Sequence, residues 1–115
     1  PETLVVAVPL HPVRRFQRGY NQAEEVAKGL SEAIGLERGE PIARRRWTAP
    51  LYAVPRRERA QAVHGAFSLR RDPGVEGRPI LLVDDVRTSG ATLRAAARVL
   101  HRGGAGPIRA AVLAR

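Results

Sequence analysis

The sequence predicts an α/β fold whose core is a mostly parallel central sheet flanked by helices. Leu4–Val8 and Ile80–Val83 are short apolar runs without polar alternation, the pattern of strands buried on both faces. Residues 21–35 and 91–100 instead place apolar side chains at helical spacing. The order strand, helix, irregular middle, strand, helix, strand belongs to sheets built from strand–helix–strand units.

Taken in order, Leu4-Val5-Val6-Ala7-Val8 is rich in β-branched residues and stops at Pro9. Pro9-Leu10-His11-Pro12 is a loop, because proline restricts both itself and the residue before it. Asn21 is placed to cap a helix, with Glu24 three residues on as in a capping box. Val26, Ala27, Leu30 and Ile34 share one face of that helix at helical spacing, and Gly35 ends it. Residues 36–45 read as polar and irregular. Trp47–Tyr52 is expected to be a strand broken by Pro50, Pro55–Val63 a short charged helix, and Ala66–Leu69 a second short strand. Asp72-Pro73-Gly74 signals a turn. After the strand at Ile80–Val83, a helix over Ala91–Leu100 carries Leu93, Ala96, Ala97 and Leu100 on one side, and Gly103-Gly104 terminates it. Ile108–Leu113 is the final strand.

Composition sets bounds on function. The 115 residues fit one domain, residues 1–115, with no repeat and no linker. The hydrophobic fraction of 43% opposes wholesale disorder, and with aromatics at 4% the core must be aliphatic. There is no Cys, which excludes disulfides, thiolate metal sites and a cysteine nucleophile here and fits a reducing compartment. No apolar run approaches the roughly 20 residues needed to cross a bilayer, so a cytoplasmic protein without membrane insertion is expected. There is no Met, even at position 1, so the chain is expected to be processed, trimmed or a fragment. The formal net charge of +9 attracts phosphates and nucleic acid. Because Lys28 is the only Lys, much of that charge is also what an arginine-rich composition gives, so particular arginines say more than the total.

The most informative stretch is Ile80-Leu81-Leu82-Val83-Asp84-Asp85-Val86-Arg87-Thr88-Ser89-Gly90-Ala91-Thr92. A buried strand delivers two carboxylates to its C-terminal end, where ligands of open α/β sheets bind. A loop rich in hydroxyls then opens a helix, whose N-terminal amides and dipole favour an anion. Gly90 is expected to let a phosphate approach the backbone and to tolerate positive φ. Thr88, Ser89 and Thr92 add hydroxyl donors. Each feature alone fits a turn and a helix cap. In this order they fit a ligand with vicinal hydroxyls and a phosphate, such as a ribose 5-phosphate. A receiver domain with its magnesium-binding acidic pair needs several strand–helix units after the pair, and the remaining chain holds about one. No Gly-x-Gly-x-x-Gly follows a strand, which opposes a dinucleotide site.

These thirteen residues resemble the signature by which type I phosphoribosyltransferases bind 5-phosphoribosyl-1-pyrophosphate (PRPP). The resemblance implies that Asp84 and Asp85 are catalytic residues holding the ribose 2′ and 3′ hydroxyls, with Asp85 as a candidate general base. It gives the 5′-phosphate to Arg87, Thr88, Ser89, Gly90, Ala91 and Thr92. It also implies Mg²⁺ as cofactor, carried by PRPP and at most reached by Asp84 or Asp85 through water.

If the first strand and Ile80–Val83 are parallel neighbours, the loop after each leaves on the same sheet edge. Arg14, Arg15 and Arg18 would then face the Asp84–Thr92 loop, and planar guanidinium groups suit phosphates. A solvated arginine face is the plainer alternative for Arg14 and Arg15. A lone His11 among prolines reads as structural or exposed, and His64 and His101 carry no pattern.

Val8-Pro9-Leu10-His11-Pro12, Arg18-Gly19-Tyr20-Asn21-Gln22 and Arg56-Arg57-Glu58-Arg59 ahead of Gly65-Ala66-Phe67 together resemble the ComF family of competence-associated phosphoribosyltransferase-like proteins. That resemblance implies a type I phosphoribosyltransferase-like fold with a short irregular flap. It places Leu10, His11, Arg14, Arg18 and Gly19 in the pyrophosphate loop and Arg56, Arg57 and Arg59 in the flap that closes over substrate in catalytic relatives. Relatives often carry an N-terminal Cys-rich zinc module, whose cysteines are not among these residues. Ala60-Gln61-Ala62-Val63-His64 is less basic than the flap of relatives and lacks their Asn.

The expected activity is phosphoribosyl transfer from PRPP to an unidentified acceptor with release of pyrophosphate, a glycosyltransferase reaction of nucleotide metabolism. The family association adds competence or DNA uptake, and related domains often form homodimers. The competing expectation is a non-catalytic nucleotide- or DNA-binding accessory protein on the same fold.

Overall fold

A computed structural model describes residues 2–9, 21–45, 54–62, 64–85 and 90–113. Strand β1 (Leu4–Ala7) leads to helix α1 (Gln22–Ile34), and the chain returns as β2 (Glu37–Arg38). Strand β3 (Ile42–Arg44) follows, then a 3₁₀ turn (Arg56–Glu58) running into the one-turn helix α2 (Arg59–Ala62), then β4 (Phe67–Leu69). Strand β5 (Ile80–Asp85), helix α3 (Gly90–Arg102) and strand β6 (Ile108–Leu113) complete the chain.

The main sheet has the order β2-β1-β5-β6, and every neighbouring pair is parallel. β1 and β5 lie at its centre, in the register Leu4↔Ile80 to Ala7↔Val83, and the Val8 amide extends the ladder to the Val83 carbonyl at 2.8 Å. Both strands are covered on both faces, which explains their unbroken apolar sequences. Helix α1 packs with Val5 and Val83 through Ala23 and Ala27. On the opposite face, α3 packs with Leu4, Val6, Ile80 and Leu82 through Ala91, Ala95, Ala96, Val99 and Leu100. Small alanines let each helix approach the sheet closely, so a chain with few aromatics still closes its core.

The helix ends behave as the sequence predicts, but Ile34, expected on one face with Val26, Ala27 and Leu30, stands at the last position of α1 and is 57% exposed. The Asn21 side chain accepts a hydrogen bond from the Ala23 amide at 3.1 Å, capping α1. Gly35 takes φ 69° at its end, where its amide bonds back to the Ser31 carbonyl. His101 and Arg102 sit in the last turn of α3, where the dipole favours cations.

The middle of the chain corrects the expectation of an irregular 36–45. β2 is only two exposed residues, recruited to the edge of the sheet by backbone pairing with β1. β3 buries Ile42 and pairs antiparallel with β4, in the register Ile42↔Leu69 to Arg44↔Phe67. This ribbon lies against α3. It also carries the connection that contains the 3₁₀ turn and α2, so the predicted flap is the excursion between its two strands. Pro55 stands at the cap of the 3₁₀ turn rather than inside it. The strand expected at Trp47–Tyr52 lies outside the described residues.

Among the described residues no helix is long and apolar enough to cross a membrane.

Candidate functional site at the divergence of β1 and β5

The connections leaving β1 and β5 diverge. From β1 the chain crosses over α1 to β2 on one side, and from β5 it crosses over α3 to β6 on the other, with the two helices on opposite faces. Ligands of open α/β sheets bind outside the strand C-termini at such a reversal. Because β1 and β5 are parallel neighbours, the condition set by the sequence is met. The chain leaving Val8-Pro9 and the chain leaving Asp84-Asp85 start from the same edge.

Asn21 fixes one side of this edge. Its side chain is buried and works at both ends: Oδ1 receives the Ala23 amide, and Nδ2 donates to the Val8 carbonyl at 3.1 Å. One side chain thus joins the end of β1 to the start of α1. Whatever path the intervening residues take, their two ends are held together. The sequence reading found the cap but not the Val8 contact, which joins residues thirteen positions apart.

On the other side, β5 continues through both acidic residues, and Asp84 and Asp85 pair in register with Val112 and Leu113 of β6. Asp84 is 3% exposed and lies on the strand face of Ile80 and Leu82, toward α3. It has an interaction partner within the protein, as a buried polar group requires. Gly90 is the first residue of α3 and is exposed, while Ala91 and Thr92 are buried beneath it. The φ of Gly90 is not positive, so the expected left-handed conformation is absent. What glycine provides here is space. A Cβ at position 90 would lie 2.8 Å from Nη1 of Arg94.

Arg94 is the residue that the sequence reading missed. Its guanidinium folds back over the first turn of its own helix, placing a cation at the positive end of the helix dipole. Like signs there cost energy in the free protein and favour an anion arriving at Gly90. Its only sequence signal is a helical position four residues after Gly90, which a solvated arginine satisfies equally well.

Of the predicted flap residues, Arg56 and Arg57 are exposed. Arg59 is half-buried, and its Nε donates to the Val54 carbonyl at 3.1 Å, so part of this guanidinium shapes the flap itself. Helix α2 packs against α3. The predicted pyrophosphate residues Leu10, His11, Arg14, Arg18 and Gly19 lie outside the described residues, as do Arg87, Thr88 and Ser89 of the phosphate loop and the side chain of Asp85. Among the described residues no group of three His, Cys, Asp or Glu side chains is gathered to hold a metal ion.

Comparison with known proteins agrees with this architecture. The chain is 34% identical to the DNA utilization protein YhgH of Escherichia coli (strain K12) over 112 residues, covering 96% of this chain and 48% of that protein. It is 33% identical to Competence protein F of Haemophilus influenzae over 113 residues, covering 96% and 49%. It is 31% identical to Competence protein ComFC of Streptococcus pneumoniae over 110 residues, covering 96% and 47%. The chain thus spans about half the length of the curated relatives it matches. No solved structure matches it. The model of the phosphoribosyl transferase domain runs from residue 4 to residue 115, and the chain belongs to that family.

Proposed function

We propose that the protein binds PRPP at the C-terminal edge of β1 and β5 and transfers its phosphoribosyl group to an acceptor, releasing pyrophosphate. The observation that supports this reading is the divergence of the two crossovers between β1 and β5, which brings the strand ends that lead into the two predicted anion loops to one edge.

The 5′-phosphate is held by amides and hydroxyls of the Arg87–Thr92 segment at the start of α3, with the Arg94 cation beside it. Asp85 receives the ribose hydroxyls. Asp84, buried and partnered, supports the end of the strand as well as any contact with the sugar. The loop after β1, its ends joined through Asn21, faces the pyrophosphate with Arg14 and Arg18. In the reaction the bond from the ribose anomeric carbon to the pyrophosphate oxygen breaks, and its electron pair leaves with pyrophosphate. A lone pair of the acceptor forms the new bond, and any proton it carries passes to a carboxylate, the role given to Asp85. The protein's contribution is orientation, charge stabilisation of the leaving group and exclusion of water. When bound, Mg²⁺ neutralises charge on the pyrophosphate.

The relatives' printed names speak of DNA utilization and competence, and we place this protein's role in the same area, DNA uptake or processing. It is taken as cytoplasmic, in keeping with its cysteine-free sequence.

The test is an assay of pyrophosphate release with Mg²⁺, PRPP and a panel of nucleobases. Release that depends on both PRPP and one acceptor, and is lost in Asp85→Asn, is the expected result. Silence across the panel while PRPP still binds would move the reading to a non-catalytic PRPP-binding protein.

A further inference from the structure

We propose that the groove between α3 and the His64–Phe67 segment is a second anion site, for a compact polyphosphate such as a triphosphate group, and that Arg94 links it to the edge where β1 and β5 end. The groove holds about 150 Å³, and Arg94, Arg98 and Arg102 line it from α3 at four-residue intervals. That spacing sets successive arginines about 6 Å apart along the helix axis. A solvated helix face mixes charge signs. Helix α3 has no acidic residue, all three arginines are exposed, and among the described residues none of the three is engaged in an ion pair. Of the chain's 11 acidic residues only Asp85 has its side chain outside the described residues. The protein therefore offers at most one acidic side chain to three guanidinium groups.

Size selects the ligand. A volume of about 150 Å³ is that of roughly five liquid waters. A di- or triphosphate chain fits such a space, whereas a folded partner or a long polymer does not. Between the arginines the α3 wall is Ala91, Ala95 and Val99, whose side chains offer neither donor nor acceptor. Recognition falls to the guanidinium forks, each of which can hold two phosphoryl oxygens. Arg94 belongs to both places. Its side chain lines the groove, and its Nη1 stands 2.8 Å from where a Cβ at position 90 would lie. An anion beside Arg98 attracts this guanidinium along the helix and away from Gly90, withdrawing a cation from the proposed 5′-phosphate position. The two ligands then oppose each other, and by linkage each weakens the other by the same factor. The groove stands on its own lining; its linkage rests on the proposed PRPP edge.

The experiment titrates tripolyphosphate and, separately, ATP, both without metal, into three proteins by calorimetry. These are the wild type, Arg98→Gln/Arg102→Gln and Arg38→Gln/Arg109→Gln. Gln keeps the helix propensity of Arg in α3. Arg38 and Arg109 are exposed and in register with Val5 and Leu81 on the α1 side of the sheet, so the second pair removes the same charge away from the groove. The Arg98/Arg102 pair is expected to bind tripolyphosphate at least about tenfold more weakly than the wild type. The Arg38/Arg109 pair should stay close to wild type. Equal affinity for ATP and tripolyphosphate assigns the groove to the phosphate chain alone, and tighter ATP binding assigns it to a nucleoside triphosphate; either supports the proposal. Equal losses in the two pairs would mean attraction by net charge and would overturn it, as would no loss in the Arg98/Arg102 pair. Mg·PRPP is then titrated at matched free Mg²⁺ with and without tripolyphosphate. Tripolyphosphate should weaken PRPP binding at least about fivefold more in the wild type than in the Arg98/Arg102 pair. The same weakening in both would overturn the linkage. Absence of PRPP binding from all three proteins would instead remove the PRPP edge and leave the groove result standing.

Discussion

Replacing Gly90 by Val is expected to abolish measurable binding of Mg·PRPP while leaving the protein folded. The two effects separate because of what surrounds the glycine. Among the described residues a Cβ there first meets the far end of the Arg94 side chain, which can swing away without disturbing the packing of α3 on the sheet. The space the new side chain fills is the one a phosphate must enter to reach the amides at the start of α3. Asp85→Asn provides the complementary loss. It removes the charge proposed to accept the ribose hydroxyls, a type of hydrogen bond worth roughly 1.5–3 kcal/mol, or about 10- to 150-fold in affinity. Isothermal titration of both variants, with circular dichroism to confirm the fold, checks the pair. Wild-type affinity in both would remove the proposed site.

Leu82→Ala is expected to cost about 2–5 kcal/mol of folding free energy. Leu82 is 1% exposed at the centre of β5, on the face covered by α3. Its neighbours are held by paired strands on both sides, so a cavity left there cannot collapse readily. A loss of that size is a large share of the roughly 5–15 kcal/mol that holds a typical domain folded. Urea unfolding followed by circular dichroism should show a lowered midpoint with an unchanged slope. A midpoint within error of the wild type would mean that β5 does not sit in the core as described.

The parts of the fold legible in the sequence are those whose side chains are buried on both faces. β1 and the Ile80–Val83 part of β5 announce themselves as unbroken apolar runs because none of these positions is exposed. The helices are legible through periodicity and through Asn21 and Gly35 at the ends of α1. β2 is not legible, because Glu37 and Arg38 are exposed and only their backbone belongs to the sheet. β3 fails for a similar reason, with Ile42 as its single buried side chain. The chemistry of the Asp84–Thr92 segment is local, and its residues carry the reading. The adjacency of β1 and β5 joins residues more than seventy positions apart and could enter only as a condition, which the sheet order fulfils. Nor does the sequence distinguish the two aspartates. The structure buries Asp84 on the α3 side and gives it a partner, which is why the proposed ligand test is made at Asp85. Arg94 escapes notice because its contact with Gly90 depends on a rotamer rather than on spacing.

A crystal structure of the protein soaked with Mg·PRPP tests the central claim most directly. The account predicts PRPP at the C-terminal edge of β1 and β5, with its 5′-phosphate on the amides that open α3 and its ribose beside Asp85. PRPP seated elsewhere on the protein, with the edge between the two strands empty, would contradict it.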